Sequence, residues 1–225
     1  MSGSSYFEQF NVVWLFGLTN SAIMMLLVIF VVLLFLKGID LVPKRWQSFF
    51  ELVCVHFYYV AKENLGVEGL KFFPFILSLF FFLVFLNIFG LCPYVFTPTT
   101  HIIVTLGFSF SIIIGITLSG LLRFKKDFFS ILMPSGAPLV LAPLLVLIET
   151  VSYFSRAISL GVRLAANLSA GHLLFAILAG FGVIFKSAIV IMVFITLLEM
   201  AVAIIQAYVF CLLTTIYLAD TLVLH

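Results

Sequence analysis

The longest uncharged stretch of the chain runs from Phe72 to Leu122, without one Asp, Glu, Lys or Arg. It exceeds a single crossing, since a helix of about 20 apolar residues already covers roughly 30 Å of hydrocarbon. "CPYVFTPTT" breaks it with Pro93 and Pro98. Proline ends a helix by removing a donor and clashing with the preceding turn. A two-span hairpin over 72–122 is predicted, with helices at about 72–91 and 101–122. Between Glu8 and Lys37 a second apolar core predicts a first span over 12–36, followed by a polar turn with Pro43.

Residues 44–63 follow a different pattern. Trp46, Phe49, Phe50, Val53, Phe57 and Val60 recur at three- and four-residue steps, while Gln47, Glu51 and Lys62 interrupt them. This spacing predicts an amphipathic helix lying in the membrane interface, with His56 as an interfacial residue. Past Arg123, "RFKKD" predicts a loop, and Pro134, Pro138 and Pro143 punctuate the approach to the last region, 138–225.

No proline falls between Leu144 and Ala179. As one helix this stretch would be about 54 Å long, against roughly 30 Å of hydrocarbon. It must tilt steeply, kink at Gly161 or Gly171, or divide in two. Phe181 to Leu224 poses the same problem, with Gly180 and Gly182 offering a turn and Lys186 just past it. The predicted fold class is an all-α integral membrane protein of one domain over 1–225. It has about five membrane-embedded helices plus one interfacial amphipathic helix, and the last two helices form a long tilted hairpin.

Composition narrows the class further. Of 225 residues, 64% are hydrophobic and only 9% charged, whereas soluble domains carry roughly 25% charged residues. A net charge of +2 gives no electrostatic footprint for nucleic acid, and none is expected as a partner. Cys54, Cys92 and Cys211 are too scattered for a disulfide framework or a zinc site. His56, His101, His172 and His225 supply no helical pair, so no metal, haem or other cofactor is expected. The first apolar run lacks a basic flank and no Arg-rich presequence precedes it, so a cleaved targeting segment is not expected. The 28 Phe suit the AT-rich codon usage of an organellar genome. If the spans alternate, Lys37, Lys44, Arg45, Lys62, Lys71, Arg123, Lys125 and Lys126 share one side. The positive-inside rule makes that side the matrix or cytoplasm and puts the N-terminus outside.

The polar residues of the last region fall into pairs. Arg163 with Gln206, His172 with Glu199, and Glu149 with Asp220 all centre near 184–186, at the expected turn. Glu149 and Asp220 then lie toward the inside, His172 and Glu199 toward the outside, and Arg163 and Gln206 between. Glu149, Arg156 and Arg163 are seven apart, close to one helix face. Arginine cannot shed its proton, so Arg163 can serve only as a fixed charge. Glu149 is about 21 Å away along the helix, and neither Glu199 nor Asp220 faces Arg163 in this register. Its carboxylate partner is therefore expected on another chain. The alternative is that Arg163, or Arg156, snorkels to the interface. Ala157, Gly161, Ala165 and Ser169 step by four, as do Ala166 and Ala170. Such stripes admit close helix approach, either within this chain or against foreign helices. His172 and Glu199 suit a water-filled half-channel from outside, and Glu149 and Asp220 a second to the inside.

"SLGVRLAANLSAGHLL", "LLEMAVAIIQAYVFCLLTTIYLAD" and "LNIFGLCPYVFTPTTHI" together resemble subunit a of the rotary F-type ATP synthase. The likeness covers nearly the whole chain and is most specific from Ile148 to Asp220. It implies a proton-translocating stator in the bilayer beside a ring of c subunits, each carrying a membrane carboxylate. A peripheral stalk and other membrane subunits are the remaining implied partners, and protons are the transported substrate. Arg163 matches the family's essential arginine and Gln206 its neighbour. Asn167 and Ser159 match polar positions around the aqueous path. His172 and Glu199 match the outer side, and Glu149 and Asp220 the matrix-side exit. The order His172 then Glu199 looks mitochondrial. It implies the inner mitochondrial membrane, with the N-terminus in the intermembrane space and the C-terminus in the matrix; a bacterial plasma membrane is the alternative. "AAN" at 165–167 departs from the F-G-N of many bacterial members but keeps the Arg163–Asn167 spacing. The chain has no G-x-x-x-x-G-K-[ST] phosphate loop. It is thus expected not to be an enzyme on its own, with the ATP chemistry on partners. The competing reading is a proton-coupled secondary transporter or a respiratory-complex membrane subunit. A transporter more often shows inverted repeats, and no matching half is visible.

Overall fold

A computed structural model describes residues 12–15, 18–36, 45–91, 96–124, 142–182 and 187–222. Lys37, Pro43, Lys44, Cys92, Pro93, Lys125, Lys126, Pro134, Pro138, Lys186 and His225 lie outside the described residues. The described chain is an all-α integral membrane protein. Strands β1 (Trp14–Leu15) and β2 (Leu18–Thr19) form one short antiparallel pair, Trp14 facing Thr19. Helices follow at α1 (Asn20–Leu36), α2 (Arg45–Gly69), α3 (Phe73–Gly90), α4 (Ile102–Phe124), α5 (Ala142–Gly182) and α6 (Ser187–Leu222). A 3-10 turn, Leu70–Phe72, joins α2 to α3, and another, Pro98–Thr100, precedes α4. Among the described residues, four stretches are long and apolar enough to cross a membrane: Leu70–Gly90, Ile102–Phe124, Pro143–Leu178 and Val190–Thr221.

The first helix begins at Asn20, whereas the apolar core started at Val12. Thr19 supplies the reason. Its Oγ1 accepts from the Ala22 N–H at 3.4 Å and pairs with the Ser21 hydroxyl at 2.9 Å, the position of an N-cap. A count of charges passes over this Thr-Asn-Ser start signal. Helix α1 is then 17 residues, about 26 Å.

Of the apolar face read from the spacing of α2, Phe57 is buried, Phe50, Val53 and Val60 are partly buried, and Phe49 is exposed. Phe57, Ala61 and Leu65 are buried. Phe57 meets the Phe80 ring of α3 at 4.5 Å and Tyr208 of α6 at 5.8 Å. Its opposite side leaves Phe49, Leu52, Val55 and Tyr59 exposed. Gly66, at φ 65°, breaks the helix near its end and turns the chain toward α3. That left-handed conformation favours glycine.

Helix α5 is one unbroken element of 41 residues and α6 one of 36. The division into two helices is thus excluded, and Gly161 and Gly171 lie within continuous helix. At about 61 Å, α5 is twice the hydrocarbon thickness. The core lies behind this hairpin, where Leu160, Leu164 and Leu168 of α5 meet Phe210 and Leu218 of α6, Ile112 and Ile116 of α4 and Leu83 of α3.

Candidate functional site

The register of the α5–α6 hairpin follows from its contacts. Asn167 donates from Nδ2 to Gln206 Oε1 at 2.9 Å. One turn further along α5, a Cβ on Gly171 would sit 2.7 Å from Glu199 Oε1. The helices therefore run antiparallel.

Arg163 stands in the middle of this hairpin with its side chain exposed. Its Nη2 donates to Ser159 Oγ, one turn back, at 3.4 Å. Among the described residues no ion pair involves Arg163. Gln206 is buried at 6% exposure and gives its carbonyl to Asn167 rather than to Arg163. The expected Arg163–Gln206 pair is thus offset by one helical turn.

The two small-residue stripes of α5 take different roles. Ala157, Gly161 and Ala165 are buried. Ser109 of α4 donates to the Ala157 carbonyl. A Cβ on Gly161 would meet the Leu106 Cα and the Thr105 carbonyl at 3.0 Å, so α4 and α5 touch backbone to backbone there. Ser169 continues the stripe and donates to the Thr100 carbonyl at 3.0 Å. This face is packing within the chain. Ala166 and Ala170 are exposed, beside Val162, Arg163 and Asn167. This second face presents the Arg163 cation on a mostly apolar surface.

Toward one end of the hairpin, Arg156 holds both acids that the sequence paired with each other. Its Nη2 lies 3.6 Å from Glu149 Oε1, and its Nη1 lies 3.6 Å from Asp220 Oδ2. Its guanidinium also covers the Tyr217 ring at 5.5 Å. Glu149 and Asp220 are therefore linked through a shared cation. Sequence reasoning gave Arg156 no such role, although the Glu149–Arg156 spacing of seven was the signal.

Toward the other end, His172 Nε2 meets Thr97 Oγ1 at 3.4 Å; the tautomer decides which donates. Glu199 is half-buried against Gly171. Asn87 of α3 is fully buried and donates from Nδ2 to the Ala203 carbonyl of α6 at 3.2 Å. Neither Asn87 nor the threonines of "TPTT" were among the residues singled out beforehand. Polar groups placed inside a 51-residue uncharged run were the available signal. Elsewhere, His56 shares a 3.2 Å hydrogen bond with Tyr208 and so ties α2 to α6. Among the described residues, no three of His, Cys, Asp and Glu gather as a metal site.

The chain matches the family described as the ATP synthase A chain over residues 18–219. It is 64% identical to the ATP synthase subunit a of Metridium senile over 231 residues, covering 99% of this chain and all of that relative. It is 45% identical to the subunit a of Marchantia polymorpha, over 97% of this chain and 98% of the relative. The Mycosarcoma maydis subunit a is also 45% identical, with 93% and 88% covered.

Proposed function

The chain belongs to the ATP synthase A chain family, and from that membership we propose that it is the proton-translocating stator of a rotary ATP synthase. It works in the mitochondrial inner membrane, with its N-terminus in the intermembrane space and its C-terminus in the matrix. A peripheral stalk holds it beside a ring of c subunits.

A proton arrives from the intermembrane space past His172 and Glu199 and neutralises a carboxyl on the ring. The neutral carboxyl can face lipid; the carboxylate resists by several kcal/mol. The ring therefore turns in one direction. After nearly a full turn the carboxyl meets the matrix-side path and gives up its proton near Glu149, Arg156 and Asp220. Arg163 attracts the resulting carboxylate and, as a fixed cation, keeps protons from passing directly between the two paths. Asn167 holds Gln206 beside it, and Ser159 orients the guanidinium. One charge crossing about 100 mV carries about 2.3 kcal/mol, so several protons drive each ATP.

The observation that carries this reading is Arg163. It is a permanent cation exposed midway along a membrane hairpin, with a serine as its hydrogen-bond partner and small residues around it. Such a charge in lipid is costly unless an anion from elsewhere meets it. Arg163→Ala should abolish proton-driven synthesis while the detached catalytic head still hydrolyses ATP. Normal coupled synthesis in that variant would refute the role.

A further inference from the structure

Among the described residues, three hydrogen bonds hold the middle of α6 to other helices. Asn87 of α3 donates to the Ala203 carbonyl at 3.2 Å. Asn167 of α5 donates to Gln206 at 2.9 Å. His56 of α2 shares the third with the Tyr208 hydroxyl at 3.2 Å. A helix turns about 100° per residue, so Ala203 and Gln206 lie only about 60° apart around α6. Tyr208 stands about 140° from the first and about 160° from the second. Two contacts on one side let a helix rock about them, and a third on the far side stops it.

Burial alone does not set this rotation. Ala203 and Phe210 are buried while Leu197, Ile204 and Ile205 are exposed, yet both sets are apolar, and in lipid an apolar face has no preference for protein. The Tyr208 ring packs 5.7 Å from the His56 ring and 5.8 Å from that of Phe57. Ring packing tolerates sliding, whereas a hydrogen bond fixes distance and direction. The pair borders an open groove of about 540 Å³, lined by Leu52, Val55 and Phe80 among others. Packing on that side therefore leaves the hydroxyl room, and the bond to His56 is what holds it. We infer that His56 is a positioning residue for the proton path. By gripping Tyr208 from α2, it sets the rotation of α6 that turns Gln206 to Asn167 and Glu199 to Gly171. It acts through α6 and handles no proton itself. The inference rests on the stator reading above and makes α2 the back support of the helix that carries Glu199 and Gln206.

The test uses the reconstituted holoenzyme, with rates taken per assembled complex. Tyr208→Phe removes the hydroxyl and keeps the ring. Proton-driven synthesis, and passive proton conductance after removal of the catalytic head, should both fall about two- to tenfold, the kinetic equivalent of one hydrogen bond. His56→Leu should do the same, and His56→Gln, which returns an N–H near the Nε2 position, should restore both rates. Unchanged rates per complex in Tyr208→Phe and His56→Leu overturn the proposal, even if the complex melts lower. If Tyr208→Phe fails to assemble, His56→Gln against His56→Leu decides, and equal rates in those two overturn it. A double variant gives a second readout. Sites on opposite sides of a helix about 10 Å across ordinarily act additively. Tyr208→Phe combined with Asn167→Ala should instead lose less than the product of the two single losses, because one grip holds little once α6 has turned. A loss equal to that product overturns the proposal. Arg163→Ala in the same membranes separates the two claims. Should it still couple, the stator reading fails. Should it be uncoupled while the His56 and Tyr208 variants work normally, only the positioning role falls.

Discussion

Replacing Gly171 with Ala displaces Glu199 and leaves the rest of the hairpin in place. The added Cβ would lie 2.7 Å from Glu199 Oε1, 2.9 Å from its Cδ and 3.2 Å from its Cγ. Ordinary van der Waals contact begins at 3.4 Å, so the carboxylate must retreat by 3.4 − 2.7, about 0.7 Å, or change rotamer. It can do so because it ends a flexible side chain, and the atoms nearest the added Cβ all belong to that side chain. Alanine is favoured over glycine inside a helix by about 1 kcal/mol, so α5 does not weaken. Misplacing a reacting group by about 1 Å costs about a hundredfold in rate, and a shift of about 0.7 Å scales to roughly twenty-five-fold. Proton pumping and ATP synthesis in reconstituted vesicles should fall by about that factor, while native gels show normal assembly. Wild-type rates in Gly171→Ala would refute the claim that Glu199 works from this seat.

Gly161→Ala should behave in the opposite way. Its Cβ meets the α4 backbone at 3.0 Å, so the helices must part, at about 1–3 kcal/mol. The assembled complex should melt lower yet couple normally; an unchanged melting temperature would count against the close α4–α5 contact. Arg156→Gln breaks both 3.6 Å ion pairs. Because the partners are partly exposed, stability should change by under about 1 kcal/mol, whereas coupled synthesis should slow as Glu149 and Asp220 lose their shared cation. Equal synthesis rates would reduce Arg156 to packing. Asn167→Ala leaves the buried Gln206 carbonyl unpaired, at about 1–3 kcal/mol, and thermal melting of the assembled complex should record the loss; unchanged melting would place a different partner on Gln206.

The uncharged run from Phe72 to Leu122 and its two prolines announced α3 and α4, because charge and proline are costly in hydrocarbon whatever the tertiary packing. The antiparallel run of the hairpin was also legible, but its register only to within one turn, since Glu199 and Gln206 on α6 meet Gly171 and Asn167 on α5. Rotation of each helix about its own axis was not. Core-facing and lipid-facing positions are both apolar in a membrane protein, so nothing in the pattern separated the Ala157–Gly161–Ala165 stripe, which packs on α4, from Ala166 and Ala170, which face outward. One turn of uncertainty likewise hid the Asn167–Gln206 bond behind the expected Arg163–Gln206 pair. Arg156 between Glu149 and Asp220 was hidden for a related reason: a bridge among three groups is invisible to a search for pairs. The late start of α1 rested on Thr19, a capping signal weaker than the apolar run around it.

The most direct measurement is the position of the Arg163 guanidinium in the complete membrane assembly, resolved together with whatever chain lies against α5 and α6. A carboxylate of a rotor subunit passing within ion-pairing distance, with separate water-filled routes reaching it from either leaflet, is the predicted result. A guanidinium buried among lipid headgroups, or clasped by an acid of its own polypeptide with no rotor alongside, would contradict the account.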